Sequence, residues 1–230
     1  MSQWIPPSEE APPRLADLRV TYDRGSLAPE DLPDSPLAAF HGWFAEAAEL
    51  PEPNAMVLAT AAADGAPSSR TVLLKDADSR GFVFYTNLGS RKGRELAENP
   101  HASLVFPWFA IHRQVAVVGS AELIGRDEVT AYFRSRPRGS QLGAWASAQS
   151  TVIDGREGIE ARYAELVEQY GEDRDIPVPE FWGGWLIRPS TIEFWQGRPS
   201  RLHDRLRFRA VADPADLSLA GDWVLERLSP

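Results

Sequence analysis

Positively charged side chains gather in four short stretches of an otherwise acidic chain. The 230 residues carry 24 Lys and Arg against 33 Asp and Glu, which gives a formal net charge of −9. The four stretches are Arg70 with Lys75, Arg91 with Lys92 and Arg94, Arg134 with Arg136 and Arg138, and Arg201 with Arg205. Clustered cations in an acidic chain favour an anionic ligand, although any one cluster is about equally well explained as a solvated surface.

The second stretch lies where a strand passes into a helix, in FYTNLGSRKGREL (residues 84–96). Ser90 is suited to cap a helix over 91–98, and this places Arg91 and Lys92 in the first turn. The free N–H groups and the dipole make that end of a helix positive, so each cation is unfavourable there by about 0.3–1 kcal/mol. A phosphate group bound at the helix end would explain both cations.

Two further patterns concern the direction in which side chains point. In SRTVLLK (69–75), strand alternation puts Arg70 and Lys75 on opposite faces. One pocket that both cations reach therefore needs a bend, a strand end or a second subunit; an ordinary barrel strand explains the segment equally well.

On an extended segment Arg201, His203 and Arg205 share one face, and two cations beside an imidazole favour a functional role for His203.

The composition excludes several kinds of site. The chain has no cysteine, which removes disulfides, thiolate metal sites, iron–sulfur clusters and thiol nucleophiles. The histidines His41, His101, His112 and His203 show no metal-ligand spacing. The acidic balance argues against binding to duplex nucleic acid. The apolar run 55–63 is far shorter than the ~20 residues that span a bilayer, and the N-terminus shows no secretory signal. We therefore expect a cytoplasmic chain that binds neither membrane nor nucleic acid.

Hydrophobic periodicity predicts one α+β domain over residues 15–230, preceded by a flexible Pro-rich arm over 1–14. Strand-like segments separated by turn signals predict an antiparallel meander that closes into a small barrel with peripheral helices. The predicted strands are 55–61, 69–75, 82–86, 102–108, 113–124, 184–189, 191–196, 205–210 and 223–228, and the predicted helices are 36–49, 91–98, 126–135 and 156–170. Residues 132–150 close the third helix and then lose any period, which predicts a functional loop.

Several segments, in this order and spacing, resemble the pyridoxamine 5′-phosphate oxidase family. They are RTVLLK, FYTNLGSRKGREL, FPW, RQV, YFRSRPRGSQLGAW, AQS, FWGG, and IEFWQG followed by RLHDR. The resemblance implies an FMN-binding split β-barrel that forms a homodimer with two FMN sites at the subunit interface. It also implies that FMN-dependent oxidation converts pyridoxine or pyridoxamine 5′-phosphate to pyridoxal 5′-phosphate, with dioxygen as acceptor and hydrogen peroxide as product.

The same resemblance assigns the site residues. The positions matched to FMN are Arg70, Thr71, Val72, Leu73, Leu74, Lys75, Tyr85, Thr86, Arg91, Lys92, Gln114, Gln149, Ser150, Trp195 and Arg205. The positions matched to the substrate are Arg19, Tyr22, Lys75, Tyr132, Arg136, Ser140, Arg201 and His203. Arg201 and His203 correspond to the catalytic pair over the pyridine ring. Glu52 stands where some members carry Asp, and we assign it no role.

Two other functions compete with this interpretation. Split-barrel flavin oxidases of phenazine biosynthesis share the SRKGREL and RLH-type segments but lack the full set of substrate-phosphate residues, which is complete here. A carrier or sensor that binds flavin or pyridoxal phosphate would keep the phosphate cations without needing Arg201 and His203. The presence of these two residues favours an enzyme.

Overall fold

Alternating apolar residues build an antiparallel sheet, which has nine strands within residues 14–230, the part of the chain that the computed structural model describes. Residues 1–13, and with them nearly all of the predicted arm, lie outside the described residues. The strands are β1 Ala55–Ala61, β2 Pro67–Leu73, β3 Asp76–Asp78, β4 Gly81–Asn87, β5 His101–Trp108, β6 Arg113–Leu123, β7 Trp182–Gln196, β8 Asp204–Ala210 and β9 Trp223–Leu228. Every second residue of β1 and β5 is buried, because successive side chains point to opposite faces.

The sheet curls back on itself through a two-residue connection. Its strand order is β2-β1-β5-β6-β7-β4-β3, with β8 and β9 added beyond β7. The end strands β2 and β3 are separated only by Leu74 and Lys75. The Leu74 amide donates to Asn54 O on one side (2.8 Å), and the Lys75 amide donates to Val83 O on the other (2.8 Å). One continuous segment therefore connects the two ends of the strand order.

Five α-helices complete the described fold and divide the buried side chains into two clusters. The helices are α1 Pro36–Ala47, α2 Arg91–Glu98, α3 Arg126–Ser135, α4 Arg138–Ala146 and α5 Arg156–Tyr170. Helix α1 packs Phe40 and Trp43 against the sheet interior. A second cluster joins α3, α4 and α5 through residues such as Phe133 and Leu142, and it meets the sheet at Trp182. The site described below lies between these two clusters.

The structure confirms the α+β class and most predicted elements, and it corrects three of them. The predicted loop 132–150 contains α4, whose nine residues bury only Leu142 and therefore show little apolar periodicity. The two strands predicted over 184–189 and 191–196 form the single strand β7, which crosses a register shift opposite Val118 and Gly119. The simple meander is wrong, because β1 pairs with β5 and β4 pairs with β7 across the sequence.

Candidate active site

A cavity of about 630 Å³, here called the main cavity, opens between the β2–β3 segment, β4, α2 and the α3–α4 pair. Many residues predicted for FMN or substrate line it: Thr71, Val72, Leu73, Lys75, Tyr85, Thr86, Lys92, Tyr132, Arg136, Ser140 and Gln149. Thr71, Leu73 and Lys75, which alternation puts on one face of the segment, line the cavity, and Val72 from the other face lines it as well. The bend after β2 and the turn between α3 and α4 thus bring residues far apart in sequence around one space.

Lys92 is the most deeply buried cation of this cavity. Its side chain extends from the first turn of α2, which Ser90 caps by accepting from the Gly93 amide. The residue is 7% exposed, and its Nζ donates to Thr86 Oγ1 (3.2 Å) and Gln149 Oε1 (3.2 Å). Within residues 14–230 it forms no ion pair with a carboxylate. Burial, with a smaller contribution from nearby Arg70, lowers the pKa of Lys92, so the folded chain holds this ammonium at a cost that a bound anion would offset.

Glu95 organises the two arginines next to Lys92. It is 5% exposed and pairs with Arg91 Nε (2.7 Å) from its own helix and with Arg70 Nη2 (3.3 Å) from β2. Burial alone would raise the pKa of Glu95, but hydrogen bonds from Ser68, Thr60 and Arg91 outweigh it and lower the pKa to about 2. Arg70 and Arg91 therefore lie beside the main cavity rather than in its lining, and the carboxylate fixes both.

The opposite wall of the main cavity carries an arginine against aromatic rings. Arg136 stacks over Trp182, 4.8 Å from the ring centroid, and its buried Nη1 has no hydrogen-bond partner in the described chain. Burial lowers the pKa of Arg136. Tyr85, Tyr132 and Trp182 form a parallel stack, with 4.0 Å between the two tyrosine centroids. Burial also raises the pKa of Tyr85 to about 12, so its hydroxyl stays protonated and can donate.

The second group of predicted residues surrounds a separate cavity of about 530 Å³, here called the strap cavity. Its lining comes from Leu18–Tyr22 and from the β7–β8 loop, and it includes Arg19, Tyr22, Arg201 and His203. The Tyr22 ring meets the His203 ring edge-on at 5.6 Å. The His203 Nδ1 accepts from the Arg198 amide (3.1 Å), which leaves Nε2 as the protonated nitrogen of a neutral ring.

The expectation of an extended segment through Arg201, His203 and Arg205 is wrong. Residues Pro199–Arg201 form a 3₁₀ turn in which Ser200 (φ 57°) and Arg201 (φ 64°) are left-handed, so strand β8 begins only at Asp204. Arg205 lies on β8 and is held in a two-point ion pair by Glu193 (2.7 and 2.9 Å). Only Arg201 and His203 therefore share the strap cavity.

The remaining predicted residues lie outside both cavities. Leu74 is buried in the core, because alternation turns it away from the main cavity. Trp195 pairs with Gln114 and Arg205 across neighbouring strands and packs on His203 at 4.6 Å. Ser150 adopts a positive φ of 70° beside Gln149 and is exposed. Glu52 ends up in the turn before β1, in the lining of neither cavity.

Sequence reasoning missed three residues that shape the site. A glutamate in a helix is usually solvent-facing and an aromatic residue in an apolar run is usually core, so the local sequence does not indicate the roles of Glu95 and Trp182. Asp204 accepts hydrogen bonds from three separate parts of the chain, and nothing in its local sequence indicates this. The one available signal for Glu95 is its place one turn after Arg91 in a segment that also holds Lys92 and Arg94.

Two family models match the chain. The model described as "Pyridoxamine 5'-phosphate oxidase" covers residues 45–170. The model described as "Pyridoxine 5'-phosphate oxidase C-terminal dimerisation region" covers residues 182–230. None of the described helices is long and apolar enough to cross a membrane. Among the described residues, no cluster of three or more His, Asp or Glu side chains could hold a metal ion.

The relatives with similar sequences share one name, and the similar solved structures carry others. A pyridoxine/pyridoxamine 5′-phosphate oxidase from Salinibacter ruber is 54% identical over 219 residues, covering 94% of this chain and 99% of its own. One from Frankia alni is 52% identical and covers 98% and 94%. The solved structure of PhzG from Burkholderia lata 383, in complex with tetrahydrophenazine-1-carboxylic acid, has a TM-score of 0.80 at 34% identity and covers 89% and 98%. A pyridoxamine 5′-phosphate oxidase-related, FMN binding protein from Nostoc punctiforme has a TM-score of 0.65 at 18% identity, covers 90% and 100%, and supports the fold alone.

Proposed function

This chain belongs to the pyridoxamine 5′-phosphate oxidase family, and from that premise we propose that it oxidises pyridoxine or pyridoxamine 5′-phosphate to pyridoxal 5′-phosphate with FMN and dioxygen. The observation that carries the proposal is a pair of cations in the main cavity, the buried Lys92 and the partly buried Arg136. Lys92 has no ion-pair partner within residues 14–230, and a buried nitrogen of Arg136 has no hydrogen-bond partner there. Two separate unneutralised cations suit two separate phosphate groups, one on the cofactor and one on the substrate.

The donor set of the α2 end fits the phosphate of FMN. The ammonium of Lys92 and the guanidinium groups of Arg70 and Arg91 surround the start of a capped helix, and Thr86 and Gln149 add polar contacts. The β2 residues Thr71, Val72 and Leu73 would lie along the flavin ring. Bound FMN would supply the redox chemistry, namely acceptance of a hydride from the substrate C4′ carbon and reoxidation by dioxygen, which with two protons would give hydrogen peroxide.

The chain's own residues supply binding and orientation. Lys75, Tyr132, Arg136 and Ser140 lie in one cavity and would hold the substrate phosphate through charge-assisted hydrogen bonds. Arg201 and His203 would fix the pyridine ring, with His203 donating from Nε2 because its Nδ1 already accepts from the Arg198 amide. Fixing both ends of the substrate favours a near-attack geometry at C4′. Besides the hydride, the substrate loses one proton. With the amine substrate the product is an imine, which water then hydrolyses to the aldehyde and ammonia.

A homodimer with a split-barrel core would combine the two cavities. The main cavity and the strap cavity share no lining residue in one chain, yet the proposed substrate needs residues of both. A two-fold dimer would place the strap cavity of one protomer against the main cavity of its partner and so build two equivalent sites. The match of residues 182–230 to a dimerisation region supports this arrangement.

The likeness to PhzG favours one second candidate, oxidation of a carboxylated phenazine precursor. The lining of the main cavity argues against it, because a carboxylated ring does not need the four phosphate-binding side chains. A non-catalytic carrier is also less well supported, since it would not need Arg201 and His203 in the strained loop beside Tyr22.

The test is turnover of purified protein with FMN and dioxygen. We expect pyridoxine 5′-phosphate to give pyridoxal 5′-phosphate and an equal amount of hydrogen peroxide, while unphosphorylated pyridoxine reacts much more slowly. Turnover of tetrahydrophenazine-1-carboxylic acid in place of both phosphate esters would contradict the proposal and support the second candidate. Flavin binding without any turnover would support the carrier.

A further inference from the structure

Asp204 joins three parts of the chain at one partly buried carboxylate. Its side chain is 19% exposed. Its Oδ2 accepts from the Leu27 amide (3.0 Å) and pairs with Arg198 Nη1 (3.3 Å). Its Oδ1 pairs with Arg227 Nη1 (3.0 Å), and the same arginine donates through Nη2 to Leu27 O (3.0 Å). Leu27 is thus held on both its amide and its carbonyl by one ion pair.

Leu27 lies near the end of the segment 14–28, here called the strap. The one aromatic ring of the strap is that of Tyr22. Tyr22 meets the rings of His112 (4.9 Å), Trp195 (5.7 Å) and His203 (5.6 Å) edge-on. A Cβ on Gly197 would lie 2.7 Å from the tyrosine ring, so only glycine leaves room for this contact. Other strap residues such as Arg19 and Arg24 are exposed. The strap is therefore held by Tyr22 at its middle and by Leu27 at its end.

Arg198 is the second residue of the β7–β8 loop, which also carries Arg201 and His203. The left-handed backbone of Ser200 and Arg201 is costly for residues with a Cβ and persists only where surrounding contacts hold it. The Arg198 amide binds His203 Nδ1, while its guanidinium binds Asp204. The ion pair at Asp204 therefore fixes the same residue that orients the imidazole.

We propose that Asp204 is a positioning residue that couples the docking of the strap to the orientation of His203 in the loop. The predicted change in turnover rests on the proposed function, whereas the predicted change in the docking of the strap does not. Without the carboxylate charge, Leu27 loses its clamp and Arg198 loses its anchor together. Tyr22 would then leave the ring of His203 more often, and the substrate would be held less well while FMN binding is unaffected.

The structural arm of the test is limited trypsin digestion of the purified protein, with cleavage after Arg19 and Arg24 followed by mass spectrometry. We expect Asp204→Asn to speed these two cleavages several-fold. The control is Glu226→Gln, which removes a carboxylate that pairs with Arg207 and Arg209 across the same two strands but does not touch the strap. We expect the control to leave the cleavage rates unchanged. Equal rates in all three proteins would overturn the proposal.

A second variant keeps this arm informative if Asp204→Asn lowers the folded fraction. Arg227→Met removes the bond to Leu27 O while Asp204 stays in place. It is expected to speed the same two cleavages, and an unchanged rate in this variant with a normal melting temperature would contradict the clamp.

The kinetic arm is a double-mutant cycle on pyridoxine 5′-phosphate turnover. We expect Asp204→Asn to lower kcat/KM about tenfold, chiefly through KM, with unchanged FMN affinity. In a Tyr22→Ala background the same substitution should have little further effect, because both act through the strap. Fully additive effects would refute the coupling. A wild-type protein that turns over no substrate would refute the proposed function, and the trypsin result would still decide the role of Asp204.

Discussion

The buried position of Lys92 destabilises its charged form. Burial lowers the pKa of the ammonium, and no carboxylate of the described chain pairs with it. A structural lysine would pair with an acid or extend into solvent. Lys92 lies in the first turn of a capped helix, and Thr86 and Gln149, which accept its hydrogen bonds, are uncharged. This combination of features is explained by a ligand that arrives with its own negative charge.

Lys92→Met is expected to have opposite effects on the empty protein and on cofactor binding. Removing an unpaired buried ammonium should raise the melting temperature of the apoprotein, whereas loss of a charge-assisted contact of about 1.5–3 kcal/mol should weaken FMN about ten- to a hundredfold. Thermal unfolding and fluorescence titration with FMN measure the two effects. Arg94→Met, which removes an exposed cation of the same helix, is the control and should change neither by much. Unchanged FMN affinity in Lys92→Met would contradict the phosphate assignment.

The lowered pKa of Glu95 predicts how the free energy of unfolding changes with pH. Its pKa is about 2 in the folded chain against an ordinary value of 4.5, so the unfolded chain binds the proton more readily. The stabilisation by the carboxylate is therefore complete above pH 4.5 and is lost as the pH falls towards 2. Urea unfolding of the wild type and of Glu95→Gln should show a difference in unfolding free energy that shrinks below pH 4.5. Glu98→Gln, on the exposed face of the same helix, should show no such trend. A difference that stays constant with pH would refute the role of the charge.

The elements that sequence predicts best are those whose local pattern and tertiary environment agree. Helix α2 begins and ends at the predicted residues, because the Ser90 cap and the packing of Leu96 both act locally. Helix α4 escaped prediction since it packs one side chain deeply and presents small residues to a cavity. The left-handed turn at Ser200 and Arg201 also had no local signal. The hydrogen bonds around it run from Arg198 to His203 and Asp204, and the ring of the distant Tyr22 packs on His203.

Helix α2 packs closely against the residues that precede it, so a Gly→Ala substitution should change stability differently in α2 and in α1. A Cβ on Gly93 would lie 2.2 Å from Leu88 O, whereas nothing lies within 4 Å of one on Gly42 in α1. Gly42→Ala should stabilise the protein by about 0.5–1 kcal/mol through helix propensity. Gly93→Ala should destabilise it by about 1–3 kcal/mol, because the helix must move away from Leu88. Denaturant unfolding measures both. A Gly93→Ala protein as stable as Gly42→Ala would show that the close approach is unimportant.

Across the described chain as a whole, the residues proposed to bind one substrate line two separate cavities. Sequence alternation already indicated that Arg70 and Lys75 point to different faces, and the structure places them so. The separation of the strap cavity from the main cavity could not be read from spacing, because it depends on how β7 and β8 are placed in the sheet. A shared site between two protomers is the simplest way to bring both cavities to one substrate.

A mixed dimer tests this sharing directly. Arg136→Ala disables the main cavity and His203→Ala disables the strap cavity, so each variant alone should be nearly inactive. A purified dimer with one protomer of each kind has one site that carries both defects and one that is intact. It should therefore recover about half of the wild-type activity. If each protomer held a complete site, both sites of the mixed dimer would carry a defect and no activity would return.

We propose that flavin and a phosphorylated pyridine meet in one site and exchange electrons there. The measurement is the visible spectrum of the purified protein with FMN, recorded without oxygen before and after pyridoxine 5′-phosphate is added. We predict that the yellow flavin absorbance bleaches, that pyridoxal 5′-phosphate appears in equal amount, and that admitting air restores the colour. A flavin spectrum that stays oxidised with saturating substrate would contradict the proposed oxidation.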